Sequence, residues 1–163
     1  MTETILKMQK KVKRYLDKDR YDHTIGVMHT AGCLAMRYGA NLEQALTAGL
    51  LHDCAKCVPA DEKIKLCEKN HIEISDAEYK NPGLLHAKLG AFFAREKYGI
   101  ENEEILRSIE SHTTGRPNMS LLDKIIYIAD YIEPGRDVAP NLPEVRALAF
   151  VDIDACLYRI LED

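Results

Sequence analysis

The segment ALTAGLLHDCAK, residues 45–56, carries an apolar helix into a His-Asp pair. Asn41 supplies a capping-box-like start for this helix, and His52 and Asp53 lie near its end. Lys56 follows three residues after Asp53. A histidine and an aspartate at the end of a buried helix need a hydrogen-bond partner, an ion pair or a metal ion. The segment therefore directs attention to the other polar residues that lie in apolar surroundings.

Helical patterns extend in both directions from this segment. An amphipathic helix is predicted over 21–38, and a strongly apolar one over 121–132. All six prolines fall where a predicted helix starts or stops, and no segment keeps the period-two alternation of a strand. The sequence therefore predicts one all-α domain over residues 1–163, with its core at about 18–134 and about seven to nine helices.

Composition limits the classes of function that fit the chain. The 163 residues are 46% hydrophobic and 29% charged, as in an ordinary globular domain. The net charge of −4 argues against broad nucleic-acid binding. No apolar run approaches the roughly 18 residues that span a bilayer, and the N-terminus lacks a signal-peptide pattern. We expect no nucleic-acid partner, no membrane partner and a cytoplasmic location. Because two-fold dimers are the commonest assemblies, a homodimer is the first oligomeric state to test.

The five cysteines do not form the pattern of a disulfide framework. Their number is odd and they are scattered along the chain. Cys54 and Cys57 form a CxxC, but no second pair completes a four-cysteine zinc site. The βαβ context of a thioredoxin-like redox motif is also absent. We therefore predict reduced thiols, with redox use of the CxxC pair as a minor alternative.

Side chains that bind metal ions recur in apolar segments. A single histidine in such a segment is more often a hydrogen-bonded core residue than a ligand, and a buried, unpaired aspartate would cost roughly several kcal/mol. Taken together, these residues are more simply explained as ligands of a pair of divalent ions, and mixed imidazole and carboxylate donors suit Fe, Mn, Co or Zn. His29 lies off the face of His23 and His71 lies in a polar stretch, so both are excluded. The candidates are His23, His52, Asp53, His86, His112 and Asp130.

Five stretches follow one another along the chain: RYDH (20–23), LLHDCAK (50–56), LHA (85–87), SHTTG (111–115) and DYIEPGR (130–136). Together they resemble the HD superfamily of metal-dependent phosphohydrolases and, within it, the symmetrical bis(5′-nucleosyl)-tetraphosphatases of the YqeK type. The resemblance covers nearly the whole chain, and its last stretch is the more discriminating part. Family members usually continue beyond the last helix into a tail that contributes to nucleotide binding. This sequence ends at Asp163, so nucleoside specificity is left open.

The resemblance implies a two-metal hydrolase with iron as the expected metal and Mn, Co or Zn as alternatives. The implied substrate is a small dinucleoside polyphosphate or nucleotide. The implied reaction is symmetrical cleavage of diadenosine tetraphosphate into two ADP, by metal-hydroxide attack on a phosphorus. We hypothesise that His86 and His112 hold one ion and that Asp53 bridges both. The other ion would be held by His23, His52, Asp53 and Asp130.

Catalytic and substrate-binding roles are predicted from the same neighbourhoods. Asp53, as the bridging ligand, and Lys56 are the predicted catalytic residues; the alternative for Lys56 is a solvated loop lysine. Arg116 is more simply an ordinary surface arginine. Guanidinium, ammonium and hydroxyl groups beside the candidate ligands could bind phosphate. These predicted substrate-binding residues are Arg20, Lys56, Thr113 and Arg136.

Three alternatives stay open. An HD-type nucleotidase or phosphodiesterase would use the same core on a nucleoside monophosphate or a cyclic dinucleotide. A non-catalytic, metal-bound nucleotide sensor would keep the ligands without turnover. An all-α structural domain would simply bury its histidines. Product analysis separates the nucleotidase or phosphodiesterase from the main hypothesis. Nucleotide binding without turnover indicates the sensor. Melting curves with and without metal identify the structural domain.

Overall fold

The structure, a computed structural model, describes residues 1–162 and consists of helices and their connections over that range. The prediction of an all-α fold is confirmed. Asp163, the end of the predicted domain, lies outside the described residues. The elements, in order, are α1 (Glu3–Val12), α2 (Lys18–Tyr38), α3 (Leu42–Leu51), α4 (Ala60–Lys69), α5 (Asp76–Lys80), a 3-10 turn (Pro82–Leu85), α6 (His86–Tyr98), α7 (Glu103–Ser111), α8 (Leu121–Ile132), α9 (Leu142–Ala149) and α10 (Ile153–Leu161).

One short helix goes beyond the predicted set. α5 has five residues, and Ser75 and Glu78 form a capping box at its start. It follows residues 70–75, where the sequence shows neither a helical nor a strand pattern. Both α4 and α5 pack against the 3-10 turn, so these elements together support the start of α6.

The helix that carries His23 begins earlier than predicted. Asp17 is its N-cap, and the Asp17 side chain accepts a hydrogen bond from Arg20 N at 2.8 Å. The helix therefore starts three residues before the predicted range 21–38. Gly39 ends it with a φ of 71°, a left-handed conformation that favours glycine. The early start places Arg20 inside α2, one turn before His23.

The centre of the fold is formed by α2, α3, α7 and α8. α2 packs along α3, and α8 packs against α2, α3 and α7. α2 and α3 approach closely at Gly49, where an added Cβ would lie 2.9 Å from Met28 Cα. Leu50, Ile125 and Ile126 are fully buried between these helices. This packing brings the ends of α3 and α7 to the same region as α8.

A smaller apolar cluster lies behind the turn that follows α3. It joins that turn to α4, the 3-10 turn and α6, and so fixes the turn relative to the start of α6. Its buried members are Cys54, Ala55, Cys67, Leu85, Leu89 and Phe93.

Within residues 1–162, none of the helices combines the length and the hydrophobicity that a membrane span requires.

Candidate metal centre

The six predicted ligands come together at one place in the fold. They are delivered by α2, the end of α3, the start of α6, the end of α7 and the last turn of α8. In that order, these elements carry His23, His52 with Asp53, His86, His112 and Asp130.

The Asp53 carboxylate lies in the middle of this cluster. Its Oδ2 atom is 3.5 Å from His52 Nε2. Its Oδ1 atom is 3.2 Å from His86 Nε2 and 3.5 Å from His112 Nε2. The two oxygens therefore face different imidazoles, which is the arrangement that a carboxylate shared between two ions needs.

The remaining ligand atoms are equally close together. His86 Nε2 lies 3.1 Å from His112 Nε2, and His23 Nε2 lies 3.0 Å from Asp130 Oδ1. The described residues contain two sets of candidate ligands, and within each set the ligand atoms all lie within 4.8 Å of one another. These sets are His23 with His52 and Asp130, and His52 with Asp53 and His112. Because His52 belongs to both sets, the cluster is continuous.

Three of the four imidazoles are oriented by the same local hydrogen bond. In each, Nδ1–H donates to the main-chain oxygen three residues earlier, at 2.6 or 2.7 Å. Gly49 and Ile109 lie in the last turns of α3 and α7, and Gly83 lies in the 3-10 turn before α6. Because Nδ1 carries the proton, the Nε2 lone pair is directed into the cluster. The pairs are His52 with Gly49, His86 with Gly83, and His112 with Ile109.

His23 is oriented by a side chain that is distant in the sequence. The Oε1 atom of Glu133 accepts a hydrogen bond from His23 Nδ1 at 3.1 Å, across 110 residues. The Oε2 atom accepts one from Gly135 N at 2.7 Å. Glu133 is 3% exposed. Glu133 was not among the predicted site residues, because nothing in its local sequence indicates which imidazole it faces.

Several atoms of the cluster have no hydrogen-bond partner among residues 1–162. They are buried, and they comprise His23 Nε2, His52 Nε2 and Asp53 Oδ1. Each lies beside a candidate ligand atom of another residue in the cluster. Buried polar atoms without partners are costly, and a divalent cation bound among them would satisfy them. The residues therefore fit a metal centre of mixed nitrogen and oxygen donors.

The cluster favours ionised carboxylates. Burial alone would raise the pKa of Asp53, but the adjacent His52, His112 and His86 imidazoles hold that pKa well below its usual range. Burial also opposes ionisation of Asp130, yet the adjacent imidazoles lower its pKa. Both carboxylates are therefore available as metal ligands at neutral pH.

The two facing imidazoles have opposite preferences for a proton. Burial lowers the pKa of His86, more than the nearby Asp53 carboxylate raises it. Burial also disfavours the charged form of His112, but its contact with Asp53 prevails and raises its pKa. The two Nε2 atoms lie 3.1 Å apart, and a metal ion and a proton would compete for their lone pairs.

Lys56 and Thr113 lie beside these two imidazoles. Lys56 Nζ is 3.1 Å from His86 Nε2 and 3.9 Å from Asp53 Oδ1. Thr113 Oγ1 is 3.2 Å from His86 Nε2 and 3.1 Å from His112 Nε2. The structure thus brings both predicted substrate-binding residues to the same end of the cluster.

Arg20 and Arg136 lie at the other, more open side and pair with ligand carboxylates. Arg20 Nη1 is 2.9 Å from Asp53 Oδ2, and Arg136 Nη2 is 2.8 Å from Asp130 Oδ1. Arg136 Nε is buried and has no hydrogen-bond partner among the described residues. Both arginines, with His23, line a polar cavity of about 470 Å³. The two guanidinium groups can therefore reach both the ligands and a molecule in the cavity.

Two other cationic side chains have structural contacts. Arg116 Nη2 is 2.5 Å from Oδ2 of the buried Asp123, which keeps Arg116 away from the cluster. Lys63 is 5% exposed, and its Nζ donates to the main-chain oxygen of Lys56 at 3.1 Å. Lys63, which was not among the predicted site residues, thereby holds the turn that carries Lys56.

The cysteines are free within residues 1–162. The Cys54 thiol donates a hydrogen bond to Gly90 O at 3.5 Å from a buried position, whereas Cys57 is exposed. The predicted reduced state of the CxxC pair agrees with this arrangement.

A family model described as the HD domain matches residues 20–135, a range that includes all six members of the cluster. The symmetrical bis(5′-nucleosyl)-tetraphosphatase of Halalkalibacterium halodurans is 46% identical over 146 residues, which are 90% of this chain and 77% of that relative. The enzyme of the same name from Bacillus subtilis is 41% identical over 152 residues, 93% of this chain and 81% of the relative.

A solved structure is similar over the same length. It is the crystal structure of a Clostridium acetobutylicum protein described as a predicted HD superfamily hydrolase involved in NAD metabolism. The two structures superpose with a TM-score of 0.88 at 45% sequence identity. The match covers 92% of this chain and 79% of the other.

Proposed function

Because this chain belongs to the HD domain family and, within it, to the symmetrical bis(5′-nucleosyl)-tetraphosphatases, we propose that it hydrolyses diadenosine tetraphosphate symmetrically into two ADP molecules. One observation of the structure carries this proposal. Six imidazole and carboxylate side chains from five elements converge, and three of their buried donor atoms have no hydrogen-bond partner among residues 1–162.

The proposed cofactors are two divalent transition-metal ions, with iron as the native metal and Mn, Co or Zn as alternatives. When bound, the ions would activate a water molecule and stabilise negative charge on the phosphate. The proposal is supported by the two oxygens of the Asp53 carboxylate, which lie near different imidazoles. One ion would be held by His23, His52 and Asp130, the other by His86 and His112, and Asp53 would be shared.

Lys56 is the proposed catalytic cation. Its side chain is 36% exposed, so its ammonium group can contact a phosphate oxygen that lies over the cluster. Lys56 Nζ lies 3.1 Å from His86 Nε2, and electrostatic repulsion would favour a position closer to the substrate if that nitrogen held a metal ion. Beside the substrate, the ammonium group would stabilise the charge that develops on the leaving oxygen.

Arg20, Arg136 and Thr113 are the proposed substrate-binding residues. Arg136 supports this role most directly, because its Nε–H is buried and unpaired among the described residues and is therefore free to donate to a phosphate. Arg20 is 32% exposed and can contact the ligand carboxylate and the cavity together. The Thr113 hydroxyl can donate to a phosphate oxygen on the opposite side of the cluster.

The test is a hydrolysis assay on diadenosine tetraphosphate with Fe²⁺, Mn²⁺, Co²⁺ or Zn²⁺ and with identification of every product. ADP as the sole product supports the proposal. ATP with AMP contradicts symmetrical cleavage, and inorganic phosphate from a nucleoside monophosphate identifies a nucleotidase instead. Tight nucleotide binding with no turnover in any of the four metals identifies a sensor.

The other predictions from the sequence are kept as proposals. We propose that residues 1–163 form a single domain, that the protein is a homodimer in the cytoplasm, and that it has no nucleic-acid partner. Sedimentation equilibrium tests the oligomeric state. A binding assay with duplex and single-stranded nucleic acid tests the expected absence of a nucleic-acid partner.

A further inference from the structure

We propose that Glu133 is a positioning residue that controls one of the two metal positions, by fixing the imidazole of His23, and that Gly26 provides the space it needs. The inference rests on the proposed function only in taking the cluster to be a two-metal site. It concerns the position bounded by His23, His52 and Asp130.

The Glu133 carboxylate is fixed at both oxygens. Oε1 accepts from His23 Nδ1 at 3.1 Å and Oε2 accepts from Gly135 N at 2.7 Å. The loop that carries Glu133 is fixed as well, because Arg146 Nη2 donates to the main-chain oxygens of Glu133 and Arg136 at 2.9 and 2.7 Å. A carboxylate held at two points can hold an imidazole ring in one orientation.

His23 depends on this contact more than the other ligand histidines depend on theirs. The other three imidazoles donate to main-chain oxygens three residues earlier, which no side-chain substitution removes. His23 lies within α2, where main-chain oxygens are used by the helix itself. Its Nδ1 is therefore held by Glu133, a charged acceptor that also strengthens Nε2 as a metal ligand.

Gly26 lies on α2, one turn after His23. A Cβ added at Gly26 would lie 2.3 Å from Glu133 Oε2 and 3.2 Å from Glu133 Cδ. Glycine is a weak helix former, so a glycine inside this 21-residue helix needs a reason. The reason is that any side chain at this position would push the Glu133 carboxylate away from His23.

Loss of the contact should affect the two metal positions unequally. Without Glu133 the His23 ring can rotate, and the position that His23 helps to form loses affinity. The position formed by His86, His112 and Asp53 keeps its own main-chain contacts. Removal of a hydrogen-bond partner of a metal ligand typically weakens metal affinity by about 10- to 100-fold.

The test is titration of the metal-free protein with Co²⁺, followed by visible absorption and by calorimetry. We expect two equivalents for the unaltered protein. For E133A and for G26A we expect one equivalent of unchanged affinity and a second that is weaker by about 10- to 100-fold. E133Q keeps one acceptor oxygen for two donors, so the Co²⁺ affinity of its second site should lie between those of E133A and the unaltered protein.

G32A is the matched control. Gly32 lies on the same helix, and its added Cβ would meet leucine side chains, with its nearest contact at 2.9 Å to Leu46 Cδ2, the end of a flexible side chain. We expect G32A to bind two equivalents of Co²⁺ like the unaltered protein. Melting temperatures of the metal-free variants show which of them fold, and G26A tests the inference with Glu133 still present if E133A does not fold.

A double-variant cycle tests whether Glu133 acts through His23. H23A should bind one strong equivalent of Co²⁺, and H23A/E133A should bind it with the same affinity. The inference is overturned if the remaining equivalent binds Co²⁺ more weakly in H23A/E133A than in H23A. It is also overturned if both E133A and G26A bind two equivalents with unaltered affinity. If the unaltered protein binds no Co²⁺, the metal site itself is wrong. If it binds two equivalents without hydrolysing diadenosine tetraphosphate, the proposed function fails and the role of Glu133 stands.

Discussion

The cluster of six candidate metal ligands has two ends that are built differently. The closed end, which is almost fully buried, consists of His52, Asp53, His86 and His112. The open end, which borders the polar cavity, consists of His23 and Asp130. Side chains at the closed end are at most 2% exposed, whereas those of His23 and Asp130 are 12% and 23% exposed.

The contacts that hold the two ends also differ in their range along the chain. Imidazoles at the closed end bind main-chain oxygens three residues away, so each orientation is specified once its helix end has formed. At the open end, Glu133 and Arg136 hold the ligands from the segment after α8. We expect the closed end to act mainly on the chemical step and the open end, which borders the cavity, to act mainly on substrate affinity.

Substitution of Asp53 by asparagine should have the largest effect. The amide keeps the volume of the side chain but cannot neutralise two cations, so turnover should fall on the order of 10³-fold or more, together with the metal content. The measurements are kcat for diadenosine tetraphosphate with excess Mn²⁺ and metal analysis of the purified variant. D61N, at an exposed position of α4, is the control. Wild-type turnover in D53N would remove Asp53 from the centre of the site.

Substitution of Lys56 by alanine should have the next largest effect. Loss of the ammonium group should lower kcat by about 10²-fold, since a cation beside the leaving oxygen acts mainly in the transition state. Metal content should stay unchanged, because Lys56 is not a ligand. K65A is the control, since Lys65 is exposed on α4 and pairs only with Asp61 in the described chain. Loss of metal from K56A would show that Lys56 supports the ligands instead.

Substitution of Arg136 by alanine tests the open end. We expect KM to rise by about tenfold with a smaller change in kcat, which is the effect of losing one charge-assisted hydrogen bond to a phosphate. R14A, an exposed arginine before α2, is the control. Steady-state kinetics separates the two constants. A large fall in kcat with unchanged KM would place Arg136 with the closed end and would contradict the division between the two ends.

The closed end could be predicted largely from the sequence. Helix-end signals and apolar flanks mark the surroundings of His52, His86 and His112, and a buried polar residue at such a place demands a partner. The prediction that all six ligands converge relied on their number and on the resemblance of five stretches to a known family. The all-α fold was predicted correctly because most of its helices show a local helical pattern. Only α5 was missed, since its five residues are too few to show one.

The open end could not be predicted in the same way. The contact of Glu133 with His23 joins residues 110 positions apart, and no local pattern specifies it. Gly26 was a usable signal, because a glycine one turn after a candidate ligand inside a long helix indicates close approach of another group. Arg136 was assigned to the substrate from its chemistry and its place just after the predicted helix of Asp130, and its contact with Asp130 depends on packing that the sequence does not display.

The smallest effect is expected from the cysteines behind the closed end. Burial, helped by the negative charge of Asp53, raises the pKa of the Cys54 thiol to about 12, so this thiol stays protonated and unreactive at pH 8. Cys33 and Cys57 are exposed. A thiol-reactive chromophore should therefore modify two cysteines in the native protein at pH 8, and all five after denaturation.

C57S should change kcat by less than about twofold, as surface substitutions usually do. Rapid modification of Cys54 in the native state, seen by mass spectrometry, would mean that the closed end opens far more readily than its burial and main-chain contacts imply.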